Sequence, residues 1–485
     1  MRRVVIIGGG IAGLATALHL RDRADRVPGG VEVRVLEARD RPGGNIRTER
    51  LDGFTIEAGP NGFLDNAPAT LDLVRRLGLE SRLQRADESA ARRFLFHRGR
   101  LHELPTGPAT FLRSPVLSLR GRLRVFAEPL AGRRPEGVDE SIYDFAARRI
   151  GAEAAAILVD AMVSGVFAGD VRALSLRSSF PRMHRMEEEH GGLVRALLAR
   201  TRERRAARRE AARRSDALDG GEHRVETTRP GGPAGPGGTL TSFREGLDEW
   251  IDALSTELVD ELRTGTAATG IAAAAGSGEG RWDVRTRDGS SLAADAVVVA
   301  VPSPRAVSLL EPLDPELAGA VGAIETAGLA VVALGFRSAD TGPVQGFGFL
   351  VPRGTGPRIL GCLWDSSIFP GRAPADHVLL RAMIGGAHDP AAVNAEDEVL
   401  VDQVLRDLRT TMGLVAKPVL VRIFRWPLGI GQYTVGHQDR LDRIHTRLSA
   451  NPGLWVAGSS YYGISMNACI EHAPRQVEEI LRYLT

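Results

Sequence analysis

Three glycines near the start of the chain stand at a spacing that suits phosphate binding. Gly8, Gly10 and Gly13 follow an apolar run in "VVIIGGGIAGLATAL" (4–18) and read G-x-G-x-x-G. In a strand–turn–helix, the first glycine permits the tight turn, the second lets a pyrophosphate approach the backbone, and the third lets the helix pack on the strand. The helix N-terminus adds partly positive N–H groups. The segment predicts a dinucleotide site formed by Gly8, Gly9, Gly10, Ile11, Ala12 and Gly13.

An acidic residue follows at the distance that a dinucleotide requires. The alternating apolar residues of "VEVRVLEA" (31–38) predict a second strand, which closes on Glu37 and Ala38. A carboxylate at this place binds the ribose hydroxyls of a dinucleotide. We therefore expect Glu37 and Ala38 to contact the cofactor.

The stretch "EARDRPGGNIRT" (37–48) narrows the choice of cofactor. Arg41, Gly43, Gly44 and Thr48 resemble the R-x-G-G-x-x-x-[ST] element of FAD-dependent amine-oxidase-like flavoproteins, and this resemblance implies FAD. It also implies that Arg41, Gly43, Gly44 and Asn45 contact the cofactor, although relatives carry aromatic or small residues at position 45.

Two other segments resemble the parts of those flavoproteins that surround the flavin. "EAGPNGF" (57–63) resembles the glycine loop near the flavin ring, and "VAGSSYYGISMN" (456–467) resembles the turn into a helix aimed at the flavin. The dipole of such a helix would stabilise the anionic reduced flavin. The resemblance implies further FAD contacts at Gly59, Pro60, Asn61, Gly62, Ala268, Trp426, Gly458, Gly463, Ile464, Ser465 and Met466.

Segments along nearly the whole chain resemble the oxygen-dependent protoporphyrinogen oxidase family. They are "GPNGFL" (59–64), "RRFLFHRGRLHELPTG" (92–107), "VFAGDVRALSLRSSFP" (166–181), "VQGFGFLVP" (344–352), "RWPLGIGQYTVGH" (425–437) and "GISMNACI" (463–470). The resemblance implies an α/β fold: a Rossmann-like FAD-binding domain, a mixed α+β substrate domain and a helical, membrane-associated domain. One departure is Ala468, where the family commonly has aspartate.

The same resemblance implies the residues that would hold a tetrapyrrole. Arg93 matches an arginine that pairs with a propionate, and a planar guanidinium suits bidentate carboxylate recognition. Phe347 and Leu350 match residues that sandwich a pyrrole ring. Gly165 would bring the backbone close to flavin and substrate, and Met383 would add to the pocket wall.

We expect three domains to position these residues. We expect a discontinuous FAD-binding domain from residues 1–88, 241–305 and 440–485. Residues 92–215 read as a helical domain, residues 216–240 as a flexible Gly/Pro-rich linker, and residues 306–439 as the substrate-binding domain. A chain of 485 residues is long enough for this division.

Composition excludes several other classes of protein. A net charge of +2 predicts no general attraction to nucleic acid, and two cysteines form neither a disulfide framework nor a metal-ligand cluster. The eleven histidines are scattered, so we name no metal and no protein acid or base; the flavin would do the chemistry. The apolar runs are too short to span a bilayer, and the first strand leaves no room for a signal peptide. We expect a cytoplasmic protein, or one that is peripheral on the cytoplasmic face of the membrane.

Two arginine-rich segments bear on membrane contact. Residues 195–214 hold nine arginines and two glutamates, and are either a basic helix for anionic lipid or a solvated helix. Residues 111–134 mix leucine, phenylalanine and arginine and are the better candidate. The partners that the family resemblance implies are a tetrapyrrole, O2, a membrane surface, a second copy of the chain and a downstream chelatase.

The implied reaction is the six-electron oxidation of protoporphyrinogen IX to protoporphyrin IX, with O2 reduced to H2O2. Oxidation of coproporphyrinogen III to coproporphyrin III is the alternative within the class, and polyamine or carotenoid substrates would leave the arginine at position 93 unexplained. A different class, the non-catalytic relatives that escort prenylated proteins, would not need to bind flavin. The retained "RPGGNIRT" and "GISMN" argue against that class.

Overall fold

The computed structural model describes residues 1–134, 137–199, 201–203, 205, 238–274 and 281–485. Most of the linker expected at 216–240, and part of the arginine-rich segment 195–214, lie outside the described residues.

The described residues form both strands and helices. The strands are β1 (Arg2–Ile7), β2 (Val31–Leu36), β3 (Thr48–Leu51), β4 (Phe54–Glu57), β5 (Phe63–Leu64), β6 (Leu83–Arg85), β7 (Arg93–His97), β8 (Arg100–Glu103), β9 (Leu240–Phe243), β10 (Leu262–Arg263), β11 (Ala268–Ala273), β12 (Trp282–Thr286), β13 (Ser291–Ala294), β14 (Ala296–Val299), β15 (Thr326–Arg337), β16 (Gly348–Leu350), β17 (Ile359–Leu363), β18 (His377–Gly385), β19 (Leu420–Gly431) and β20 (Leu454–Val456). The helices are α1 (Ile11–Arg21), α2 (Pro68–Arg76), α3 (Pro108–Arg113), α4 (Leu119–Phe126), α5 (Ile142–Ile150), α6 (Ala152–Ala154), α7 (Asp160–Phe167), α8 (Leu176–Ser179), α9 (Pro181–His190), α10 (Asp248–Glu257), α11 (Ser303–Leu310), α12 (Pro315–Gly322), α13 (Ser338–Thr341), α14 (Asp365–Ile368), α15 (Asp397–Met412), α16 (His437–Ala450) and α17 (Met466–Leu484).

A parallel five-stranded sheet carries the glycine turn. Its strand order is β10-β2-β1-β14-β20, and each neighbouring pair is parallel. The central strands β1 and β14 carry short apolar runs, as is usual for parallel sheets that helices cover on both faces. The chain passes from β1 to β2 on one side, while β14 lies on the other side. This reversal leaves a crevice at the carboxyl end of β1, the place where open α/β sheets bind ligands.

A mixed seven-stranded sheet forms the second layer, in the order β19-β15-β18-β17-β16-β7-β8. Strands β7 and β8 come from residues 93–103, which we expected in the helical domain, and β7 joins the sheet by parallel pairing with β16. One face packs against α15 through Leu400, Val404 and Leu408. Phe54 and Ile56 of β4 pack on the other face, so that face meets the β3–β4 hairpin.

Helices α3 to α9 lie beside the second sheet. A π-helical segment at Ala155–Val159 separates α6 from α7. The buried guanidinium of Arg149 pairs with Glu128, and Glu128 also accepts hydrogen bonds from the backbone N–H groups of Leu193 and Val194 (2.9 and 3.2 Å). Because a buried charge is costly unless it is paired, this cluster fixes residues 128–134 against residues 190–194. No helix in the described part of the chain is long and apolar enough to cross a membrane.

We predict that His472 makes the fold less stable in acid. Its ring stacks on Tyr462 with 3.8 Å between centroids, and burial lowers the pKa of His472 to about 4. Between pH 6.5 and 4 the unfolded chain therefore binds a proton that the folded chain does not, and stability falls as the pH falls through this window. At pH 5 the full shift corresponds to about 2 kcal/mol, and partial exposure of the ring reduces this to about 1 kcal/mol.

Urea unfolding at pH 7.5 and pH 5 measures this effect. His472→Phe keeps a flat ring against Tyr462 and should lose about 1 kcal/mol less than the wild type on acidification. An equal loss in both proteins would show that His472 does not contribute to the acid sensitivity.

Candidate cofactor and substrate site

The glycine turn after β1 has the geometry that its spacing predicts. Gly8 has a φ of +116°, and a Cβ there would lie 2.6 Å from the carbonyl oxygen of Ala300. A Cβ at Gly13 would lie 2.0 Å from the carbonyl oxygen of Gly8, so α1 packs on β1 only with glycine here. At Gly10, in contrast, the nearest atom is the Cα of Gly44 at 4.0 Å. The backbone at Gly10 is therefore open to a ligand.

Glu37 closes β2 beside this turn and is buried. Its Oε2 accepts a hydrogen bond from the N–H of Gly9 (2.8 Å), and its Oε1 accepts one from the N–H of Arg39 (2.9 Å). The carboxylate is thus fixed at the turn, and lone pairs remain for ribose hydroxyls. Ala38 follows as an exposed residue at the edge.

The loop after Glu37 folds back onto the glycine turn. Gly43 donates its N–H to the carbonyl oxygen of Gly9 (2.7 Å), and Gly10 and Gly43 form an isolated parallel bridge. Gly43 and Gly44 both have positive φ, which glycine adopts without strain. Arg41 donates from Nη2 to the carbonyl oxygen of Ile46 (2.7 Å), and burial lowers the pKa of Arg41.

The loop at Gly59 approaches the second sheet. A Cβ at Gly59 would lie 2.2 Å from the carbonyl oxygen of Asn45, so these two loops touch. Asn45 Nδ2 donates to the carbonyl oxygen of Gly429 (3.1 Å), and Trp426 Nε1 donates to that of Ala58 (2.7 Å). These hydrogen bonds tie the loops that carry Asn45 and Gly59 to β19 of the second sheet. Pro60 follows Gly59, and Gly62 packs against the backbone of Thr241.

The turn between β20 and α17 completes the crevice. Ser465 caps α17 by accepting a hydrogen bond from the N–H of Ala468 (3.1 Å), and Met466 is the first helical residue. Gly458 has a φ of +104°, and a Cβ there would lie 3.8 Å from the Cβ of Ala12 on α1. Ile464 packs against the core of helices α5 to α8. Ala268 starts β11, two residues after Thr266, whose N–H bonds the carbonyl oxygen of Glu37 (2.8 Å).

Three features of this crevice fit a bound dinucleotide. Gly10 and Gly44 expose bare backbone, and no side chain in the described residues caps the N-terminus of α1. Asn61 Nδ2 is buried and has no hydrogen-bond partner among the described residues. A buried polar group without a partner is costly, so a ligand that accepts from Asn61 would be stabilising. A cleft of about 310 Å³ beside Trp426 has a basic lining, formed by Arg39, Asp40, Arg41, Arg47, Ile423, Phe424, Arg425 and Trp426.

Sequence reasoning missed Arg381, which supports the Gly59 loop from behind. Its guanidinium is 2% exposed, pairs with Asp365 (2.8 Å), and donates from Nη1 to the carbonyl oxygens of Glu57 and Gly59 (both 2.7 Å). The sequence feature that could have revealed it is an arginine inside the apolar run "LLRAMIGG" (379–386) of a strand. A charged residue in a buried strand requires a partner, and here it fixes the loop.

Three of the predicted substrate residues share one face of the seven-stranded sheet. In the strand register, β7 pairs Leu95 with Leu350, Leu350 pairs with Gly361, and Gly361 pairs with Met383. Side chains alternate along a strand, and Phe349 and Phe96 point into the core beneath α15. Arg93, Leu350 and Met383 therefore lie on the opposite face, which Phe54 and Trp426 also line.

The remaining two substrate residues lie against members of this set. A Cβ at Gly165 would lie 2.4 Å from Cδ2 of Leu350, so α7 crosses the sheet face at contact distance. The guanidinium of Arg93 lies 5.0 Å from the ring centroid of Phe347, a cation–π distance. Burial lowers the pKa of Arg93. The fold thus places an arginine, an aromatic ring, aliphatic side chains and bare backbone on or against one face of the seven-stranded sheet.

Known proteins resemble this chain over nearly its whole length. A model of the flavin-containing amine oxidoreductase family matches residues 11–481. Human protoporphyrinogen oxidase is 35% identical over 99% of this chain and 98% of its own length. Coproporphyrinogen III oxidase of Bacillus subtilis is 30% identical over 100% of this chain and 98% of its own length.

A solved structure covers the fold from end to end. It is a protein of Exiguobacterium sp. 255-15, provisionally described as a protoporphyrinogen oxidase, and it matches with a TM-score of 0.80 at 28% identity over 99% of both chains. The family match and the full-length relatives show that this chain belongs to the flavin-containing amine oxidoreductase family.

Proposed function

We propose that this chain is an FAD-dependent porphyrinogen oxidase whose preferred substrate is protoporphyrinogen IX. The observation that carries the proposal is the single face of the seven-stranded sheet on which Arg93, Leu350 and Met383 lie, with Trp426 on the same face. A largely apolar macrocycle with carboxylate substituents matches this lining. The full-length similarity to tetrapyrrole oxidases supports the same substrate class.

The protein's part in such a reaction is to bind and orient. Bound FAD would accept the six electrons of the macrocycle in three two-electron cycles and pass them to O2, giving H2O2. The glycine turn and Glu37 would hold the pyrophosphate and ribose. Arg93 would pair with a propionate, while Phe347 and Leu350 would flank a pyrrole ring and Gly165 would let the substrate lie against the backbone of α7.

Coproporphyrinogen III is the second candidate substrate, because one full-length relative is a coproporphyrinogen III oxidase. Coproporphyrinogen carries four propionates, whereas protoporphyrinogen carries two propionates and two vinyl groups. The aliphatic Leu350 and Met383, on the sheet face that Arg93 shares, suit an apolar edge better than a further carboxylate, since a buried charge without a partner is costly. This lining favours protoporphyrinogen.

Porphyrin fluorescence in air tests the proposal. Purified protein, with its flavin content measured by absorbance, is given protoporphyrinogen IX or coproporphyrinogen III, and the spontaneous oxidation is subtracted. We expect bound FAD and a higher kcat/KM with protoporphyrinogen. A preference for coproporphyrinogen would establish the second candidate. Bound flavin without oxidation of either substrate would refute both.

We also propose that α4 and the residues around it rest on an anionic membrane surface. Leu119, Leu123 and Phe126 are exposed at one-turn spacing on α4, and Leu130 is 86% exposed. Arginines at 113, 120 and 133 accompany them. Exposed apolar side chains with interspersed arginines are typical of interfacial segments.

Sedimentation with vesicles containing phosphatidylserine tests this surface. The double variant Leu123→Ser, Leu130→Ser should bind at least about tenfold more weakly, since each buried leucine contributes about 1.5–3 kcal/mol. Val415→Ser, at an exposed position far along the chain, is the matched control. Equal vesicle binding by all three proteins would contradict the proposal.

A further inference from the structure

A buried tyrosine outside the predicted site holds the turn between β20 and α17. Tyr433 is 2% exposed, its hydroxyl donates to the carbonyl oxygen of Ser459 (2.6 Å), and it accepts from the N–H of Gly463 (2.8 Å). Burial raises the pKa of Tyr433, so the phenol stays protonated and can donate. The hydroxyl thus ties the two sides of the turn together.

The backbone around Tyr433, unlike its hydroxyl, bonds to the helical region, by which we mean α3 to α9 and the segments between them. Residues 432–436 run beside the segment after α7, and Leu174 and Thr434 form an isolated bridge. Four hydrogen bonds accompany this bridge: Ser175 N to Tyr433 O (2.8 Å), Val435 N to Ala173 O (2.9 Å), Gln432 Nε2 to Phe167 O (2.9 Å) and Gly436 N to Asp139 Oδ2 (2.9 Å).

The ring of Tyr433 is held independently of its hydroxyl. It stacks on His437 with 4.1 Å between centroids and 18° between planes. Burial lowers the pKa of His437 to about 4, so the stacked imidazole is neutral near pH 7. Removing the hydroxyl alone should therefore leave the ring in place.

We propose that Tyr433 is a positioning residue that couples the helical region to the flavin-facing turn. Its backbone moves with residues 173–175, and its hydroxyl fixes Ser459 and Gly463. Ile464, the next residue of the turn, packs on the same helical core. The inference rests on the proposed function, because that proposal places FAD at this turn.

The coupling through Tyr433 predicts two effects. Without the hydroxyl, the N–H of Gly463 and the carbonyl of Ser459 lose the partner that joins them, and the turn should open more often. Conversely, FAD bound against the turn should order residues 173–175, which belong to the helical region and not to the predicted FAD contacts.

Two buried tyrosines provide a matched pair of variants. Tyr433→Phe removes a hydroxyl with two hydrogen bonds. Tyr461→Phe removes a hydroxyl from the same turn that is buried but has no hydrogen-bond partner among the described residues. We expect Tyr433→Phe to speed amide exchange at Gly463 at least about tenfold and to shift the visible flavin spectrum, with kcat reduced and KM little changed. Tyr461→Phe should match the wild type in each measurement.

A measurement on the wild-type protein covers the case in which Tyr433→Phe does not fold. Saturating FAD should slow amide exchange at Ser175, whose N–H bonds the carbonyl oxygen of Tyr433. Unchanged exchange at Gly463 in Tyr433→Phe, or at Ser175 on adding FAD, overturns the coupling while the porphyrinogen assay stands. A wild-type protein that binds no FAD overturns the proposed function, and this inference with it.

Discussion

Replacing Arg93 by alanine is expected to lower kcat/KM for protoporphyrinogen IX by about 10- to 100-fold, while FAD stays bound. A charge-assisted hydrogen bond to a carboxylate contributes about 1.5–3 kcal/mol, which gives this range. Arg93 lies on the sheet face that Leu350 and Met383 share, against the ring of Phe347. We expect the loss to fall on KM, because a propionate is remote from the reacting carbons and binds equally in the ground state and the transition state.

Two further variants show whether the geometry or the charge is responsible. Arg93→Lys keeps the charge but not the planar fork, and should fall between the wild type and alanine. Arg92→Ala is the matched control: Arg92 is the preceding residue, is half exposed, and pairs with Glu103 on the surface (2.9 Å). Surface pairs contribute little, so this variant should behave as the wild type. If Arg92→Ala lost as much kcat/KM as Arg93→Ala, the loss would come from removing positive charge near the strand and not from breaking a contact with a propionate.

The geometry of the glycine turn could be predicted from the sequence because its determinants are local. The glycine spacing, the apolar run before it and Glu37 at the end of the next strand all lie within residues 4–37. The close contacts at Gly8 and Gly13 are those that the spacing implies. The position of Ala268 depends instead on long-range contacts. Residues 265 and 266, just before it, hydrogen-bond to residues 37 and 39.

The second sheet could not be assembled from local patterns. Residues 93–103 are rich in arginine and lie next to helical segments, yet they form a hairpin whose turn at Arg98 and Gly99 has positive φ at both positions. A two-residue turn of this kind favours a hairpin, and Gly99 is the residue in the sequence that could have indicated it. The parallel pairing of β7 with β16 joins segments far apart in the chain, so the shared face of Arg93 and Leu350 is a property of the register alone. Tyr433 lies inside the family-like segment 425–437, but the sequence does not show that its hydroxyl bonds Ser459 and Gly463.

Alanine at Gly10 is expected to abolish tight FAD binding without harming the fold, whereas alanine at Gly13 should destabilise the fold itself. A Cβ at Gly10 would meet only the Cα of Gly44 at 4.0 Å, and the φ of Gly10 is −76°, which alanine adopts readily. The added methyl group would, however, occupy the space through which a pyrophosphate approaches the backbone. We expect the Kd for FAD to rise about 100-fold, equivalent to about 2.8 kcal/mol, with the Tm of the flavin-free protein unchanged.

Gly13→Ala places its Cβ 2.0 Å from the carbonyl oxygen of Gly8, a contact that only a shift of α1 can relieve. Overpacking of this kind costs about 1–3 kcal/mol or more, so the flavin-free protein should melt earlier and FAD binding should fail as a consequence. Gly319→Ala, in a helix with open space around the new Cβ, is the control for glycine replacement as such. Thermal unfolding and titration with FAD separate the two mechanisms. Normal FAD affinity in Gly10→Ala would show that the pyrophosphate does not lie on this turn, and the cofactor site would then have to be sought away from the carboxyl end of β1.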